Sequence, residues 1–233
     1  MPITDCRGED NRAELVQDFE ILPLAHVRLL DGQTRESCAG PTLDREYYVF
    51  SYQSYTNRAD TGTFVCGITV AHDFINLIQQ RNPEVHRLPL FDPLAGFAQV
   101  ENANNVDRGA GRGRQQVPIW NPVARELYEA ISIICLMWNL DNIGGVLERV
   151  LCNLATNPMQ EPSVSDIRSI NTIVFKYFYI IENNQRITSL ALRFQHFMRM
   201  RGIDNPPLIQ FPNLTNYFNT QVVNHWNPMP YFD

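Results

Sequence analysis

The sequence predicts a mainly α, α+β fold: a C-terminal bundle of about five helices preceded by a small β-containing N-terminal part. Two observations carry this expectation. From Asn121 onward, apolar residues recur every three or four positions in successive segments separated by Asn, Pro and Gly stops. Before that, the segment from Arg45 to Thr56 is dense in aromatic and β-branched residues, including Tyr47, Tyr48, Val49, Phe50, Tyr52 and Tyr55, a composition suited to a pleated, half-buried surface.

In chain order, Asp18 to Asp31 holds Phe19, Ile21, Leu22, Leu24, Val27, Leu29 and Leu30 around Pro23, then closes with the turn pair Asp31-Gly32. With the tyrosine-rich segment it predicts a small sheet or hairpin. From Thr63, Phe64, Ile68, Ala71, Ile75 and Ile78 follow helical spacing up to Asn82-Pro83, where proline disfavours helical geometry in the residue ahead of it. A strand from Phe64 to Val70, turning into a shorter helix, competes with that reading, and Gly67 supports it. Residues 82–120, with four prolines, four glycines and an asparagine cluster, predict no regular element. A stretch of that length usually serves as a functional loop, a disordered segment or an arm.

Asn121 is a good helix cap and Pro122 a favourable first helical residue. Val123, Leu127, Ala130, Ile131, Ile134 and Trp138 form the stripe of a helix that ends near Leu140. A second helix runs from Ile143 to Ala155 and stops at Asn157-Pro158. Ser163 with Asp166 opens a third, whose stripe includes Ile167, Ile170, Val174, Tyr177 and Ile181 and which extends to Glu182. A fourth, Arg186 to Arg201, stops at Gly202 and displays Arg193, Arg199 and Arg201 outward. The last, Asn213 to Trp226, precedes an aromatic tail, residues 227–233. These segments divide the chain into an extended N-terminal part (1–62), a helix with a long Gly/Arg loop (63–120) and the bundle with its tail (121–233), together one compact unit.

At 233 residues, with 44% hydrophobic and 19% charged residues, the chain can bury a substantial core without disulfides or metal. No window supplies the roughly 18 consecutive apolar residues of a membrane span, and the first residues lack the basic-then-apolar pattern of a secretory signal. An intracellular, cytoplasmic address without membrane contact is therefore expected. Five cysteines at irregular spacing (Cys6, Cys38, Cys66, Cys135 and Cys152) argue against a zinc site or a disulfide framework. Cys135 and Cys152 are expected to pack as small hydrophobes. The net charge of −6 excludes a protein dominated by nonspecific phosphate attraction. Lys176 is nevertheless the sole lysine among nineteen basic residues, and arginine is favoured where planar, bidentate contacts are made.

Candidate chemistry is sparse. Arg81 and His86 reproduce the Arg-x4-His spacing of metal-independent HEPN ribonucleases. That resemblance implies a histidine taking the proton of a 2′-hydroxyl and an arginine steadying the phosphate. Pro83 departs from the helix-embedded form of the motif. Cys66 with His72 invites a thiol-nucleophile reading, but a buried cysteine and an ordinary histidine account for them as well. No calcium, zinc or phosphate-loop pattern occurs, so neither a cofactor nor a metal is expected.

The arginine loop Arg108, Arg112 and Arg114, joined by Arg199 and Arg201, is the strongest partner-binding feature. Flexible glycines between guanidiniums suit a phosphate backbone or an acidic protein surface. The chain resembles, in outline, coat or nucleocapsid subunits that grip neighbours with arms. The expected function is a non-catalytic structural or interaction subunit: a homo-oligomer or the binder of a protein partner, with RNA a further candidate. The alternative is a ribonuclease using Arg81 and His86.

Overall fold

The computed structural model describes residues 3, 5–95, 119–140, 143–177, 180–182, 185–187, 189–222 and 229–233. Arg108, Arg112 and Arg114 lie outside them. The elements, in order, are α1 (Glu9–Asp18), β1 (Phe19–Arg28), β2 (Arg35–Glu36), β3 (Thr42–Leu43), β4 (Glu46–Ser54), β5 (Thr61–Cys66) and α2 (Ile68–Arg81). Then follow α3 (Pro122–Trp138), α4 (Gly145–Thr156), α5 (Val164–Tyr177), β6 (Ile180–Glu182), β7 (Gln185–Ile187), α6 (Leu190–Met200), α7 (Pro212–Tyr217) and a π-helical turn, Phe218–Val222. The mainly helical α+β architecture with a helical C-terminal part is as expected.

The sheet is antiparallel in the order β1-β4-β5, and its central strand is buried on both faces from Tyr47 to Tyr52. On one face, Phe50 and Phe64 stack at 5.3 Å and both meet Phe74 of α2. On the other, Ser51 Oγ lies 3.7 Å from Cys152 Sγ on α4. Alternation along β4 thus feeds two cores at once, which explains why its sequence shows no polar face. Pro23 has no N–H to give the ladder, and the β1–β4 register shifts between Pro23 and Ala25. The free edge of β1 is covered by a single parallel bridge: Arg28 N donates to Phe91 O and Phe91 N to His26 O, a common way to protect a sheet edge.

Helix α3 is the centre of the second half, apolar almost all round and buried from Ile131 to Leu136. It begins as expected, with the Asn121 side chain accepting from Val123 N and Ala124 N, and ends at Asn139 in the left-handed conformation (φ 53°). Two buried side chains from the N-terminal half close its C-terminus. Gln33 Nε2 donates to Leu136 O at 3.0 Å, and Arg35 reaches Cys135 O and Asn139 Oδ1, placing a cation where the helix dipole favours one.

Several expectations are corrected. At residues 61–81 a strand does precede the helix, but it runs Thr61–Cys66 rather than Phe64 to Val70, because β5 pairs with β4 through Cys66 and Gly67 caps α2, which starts at Ile68. Helix α1 sits where only extended chain is expected; it buries just Arg12 and Val16, too little to leave a periodic stripe. The third helix ends at Tyr177 rather than near Glu182, and the fourth begins at Leu190 rather than Arg186, since β6 and β7 form a hairpin between them. There Ser189 caps α6 by accepting from Leu192 N. The last helix is α-helical over Pro212–Tyr217 and π-helical over Phe218–Val222; its expected end at Trp226 lies outside the described residues. Cys6 and Cys38 form a disulfide, against the expectation of none. Their partnership follows from the pairing of Cys6 N with Cys38 O at 3.0 Å, a contact that spacing in the chain does not disclose.

The aromatic tail is no arm over residues 229–233. Phe232 is fully buried, edge-on to Phe211 and Phe218. Leu190 N and Ala191 N donate to Tyr231 O and Phe232 O, and Asn171 brackets Met229 O and Tyr231 N. Asp233 accepts from Phe211 N and Thr215 Oγ1, both at 2.6 Å. The tail completes the core between α5, α6 and α7.

Candidate functional site

Four places bear on function. The first is a buried polar cluster where α3 meets the edge of β1. His26 stacks on Tyr48 at 4.1 Å, with Nδ1 3.4 Å from Leu88 O and Nε2 3.6 Å from Glu46 Oε2. Burial lowers its pKa against the opposing pull of the Leu88 carbonyl and Glu46, with His72 adding a further lowering push. Burial also pushes the Tyr48 hydroxyl up to about 12 and raises that of Tyr128. These shifts all favour the neutral forms, and the hydrogen bonds run to backbone. The cluster holds the segment 88–92 on the sheet.

The second is a groove beside β1. One hollow, of about 70 Å³, is lined by Arg81 and Tyr55. A second, of about 130 Å³, is lined by His86 and Glu84. The two share Glu20, Leu22, Asn82 and Val85. Arg81 ends α2 and its guanidinium donates to Val16 O. His86 is exposed on the loop after Pro83, not on a helix. The structure thus brings the two residues to adjoining hollows, with the arginine committed to backbone.

The third is a hollow of about 460 Å³ between the starts of α3 and α7. Its charged groups are already paired: Arg125 Nε with Glu129 at 2.6 Å, and both Glu126 oxygens with Asn213 Nδ2 and Leu214 N. Trp120, tilted on Tyr128 at 5.2 Å, forms part of its wall. Sequence reading misses this place because its residues converge from two helices about 90 positions apart, with no local pattern.

The fourth is the C-terminal end of α6. Arg193 is fully buried and does not point outward as expected: Nε donates to Ser189 O and Nη1 to Val174 O, at the end of α5. Arg199 and Arg201 are exposed, as expected. Arg201 lies over the Phe197 ring at 4.8 Å, Arg199 donates to Gln195 Oε1 at 2.8 Å, and Met200 between them is 75% exposed. Arg12, Arg28, Arg125 and Arg149 each pair with a carboxylate. Among the described residues, Arg199 and Arg201 meet none within 4 Å.

None of the three free thiols is activated. Burial raises Cys66, pushes Cys135 up to about 12 and raises Cys152, the reverse of what a nucleophile needs. Cys66 ends β5 and His72 sits on α2. Among the described residues, no group of three or more His, Cys, Asp or Glu is placed to hold a metal, and no helix is long and apolar enough to cross a membrane.

No curated protein and no solved structure matches the chain. Residues 4–198, from the N-terminal segment into α6, match the family model described as uncharacterised conserved protein UCP028583, and the chain belongs to that family.

Proposed function

We propose that this protein is a non-catalytic interaction subunit, which associates with itself or with a macromolecular partner through exposed arginines. The observation that carries the reading is the end of α6: two arginines that pair with no carboxylate among the described residues, one of them stacked on an aromatic ring, flank a methionine that is 75% exposed. Helix dipoles favour cations at such an end; they do not account for the missing carboxylates or the exposed apolar side chain. Arg, Met and aromatic residues are those enriched in protein interfaces. The sequence adds Arg108, Arg112 and Arg114 on a glycine-rich segment, chemistry of the same kind. With residues 229–233 committed to the core, the arginines replace the tail as the gripping feature.

Light scattering at rising protein concentration, with and without single-stranded RNA, tests this reading. A mass that grows with concentration or on adding RNA supports it; a fixed monomer mass in both series, with no protein partner retained, contradicts it. The expected cytoplasmic address is weakened by the Cys6–Cys38 bond, since such bonds persist mainly in oxidising compartments.

A second reading, an RNA-cleaving enzyme, is favoured by one observation: Arg81 and His86 line hollows that share four residues. His86→Ala should then abolish cleavage; unchanged cleavage, or none in the parent, removes it.

A further inference from the structure

We propose that copies of this chain associate head to tail, the arginine end of α6 in one copy seating in the acidic groove between α1 and α2 of the next. This rests on the interaction reading above and names the partner as a second copy. The groove, about 340 Å³, is lined by Glu9, Asp10, Ala13, Asp73 and Leu77, with Arg12 at its wall. Glu9 and Asp10 are exposed, and neither forms an ion pair among the described residues.

The two surfaces are complementary in charge and in shape of chemistry. Residues 5–20 carry six carboxylates against Arg7 and Arg12, whereas the end of α6 exposes Arg199 and Arg201, Arg193 being buried. Guanidiniums opposite carboxylates form directional, bidentate pairs, and the Met200 side chain between them matches the apolar patch of Ala13 and Leu77.

Arg12 is 8% exposed and its terminal nitrogens bond Asp73 and Cys6 O, which leaves Glu9 and Asp10 as the groove's unpaired carboxylates among the described residues. Within one chain α6 packs against α3 and α1 against α2 and β1, so the pairing is between copies. Because the two patches differ, the contact is heterologous and propagates into rings or filaments rather than closing as a two-fold dimer.

The test uses two charge-reversed proteins, Glu9→Lys/Asp10→Lys and Arg199→Glu/Arg201→Glu, in sedimentation velocity at low ionic strength. The parent's mass should rise with concentration and return to the monomer value in high salt, where surface charges are screened. Each variant alone should self-associate at least about tenfold more weakly, and an equimolar mixture, in which each surface meets its opposite, should regain association. Circular dichroism confirms folding. The neutral pairs Glu9→Gln/Asp10→Asn and Arg199→Gln/Arg201→Gln, which weaken association partially, guard against a variant that misfolds. Variants that associate like the parent, or a mixture no stronger than its components, overturn this pairing while the interaction reading stands. A monomeric parent that binds RNA or another protein does the same. A monomeric parent that binds neither overturns both.

Discussion

The Tyr128 hydroxyl accepts the amide proton of His26 at 2.8 Å and donates to the Pro89 carbonyl at 3.0 Å. One oxygen on the central helix α3 therefore satisfies the open edge of β1 and the segment that covers it. Tyr128→Phe keeps the ring but strands the buried His26 N–H. A loss of about 1–3 kcal/mol is expected in urea unfolding, with faster amide exchange at Phe91; an unchanged midpoint contradicts the assignment.

Acid should destabilise the fold before carboxylates titrate. Burial lowers the pKa of His26, and burial together with Arg87 lowers that of His72, from the ordinary 6.5. The unfolded chain therefore binds protons that the folded protein refuses. Stability is level where both states are neutral, above about pH 7.5, and falls as pH drops through 6.5 toward the lower folded values. Urea midpoints at half-unit steps check this; a midpoint that rises on acidification contradicts it.

Phe232→Ala should cost about 3–5 kcal/mol, as expected for removing a large core side chain, because its ring is buried between Phe211 and Phe218. Thermal unfolding measures it. A neutral effect would return residues 229–233 to the status of a free arm.

Denatured without reductant, the protein should expose three reactive thiols rather than five, corresponding to Cys66, Cys135 and Cys152. Cys6→Ser should lose about 2–4 kcal/mol under oxidising conditions and nothing when the parent is reduced as well.

How far the sequence discloses this structure depends on whether the signal is local. The start of α3 is written at Asn121-Pro122, and its burial in the apolar-rich stretch Ile131 to Trp138. The Ser163 cap is equally local: its Oγ accepts from Asp166 N. Helix α1 leaves little trace because it is largely polar. The hairpin of β6 and β7 carries apolar residues, Ile180, Ile181 and Ile187, in phase with the flanking helices, so periodicity runs through it. The disulfide, the Arg12 groove and the burial of Arg193 depend on residues brought together by folding. Arg199 and Arg201 are legible as outward-facing, whereas their lack of a carboxylate partner among the described residues is visible only in three dimensions.

On the function proposed above, exposed arginines that pair with no carboxylate among the described residues make this protein an interaction subunit. Sedimentation of the parent protein across a wide concentration range at low salt, beside the Arg199→Glu/Arg201→Glu variant, measures it most directly. The expected result is a parent mass rising above 26.9 kDa and a variant that lags behind it; identical profiles for the two proteins would contradict the interaction role.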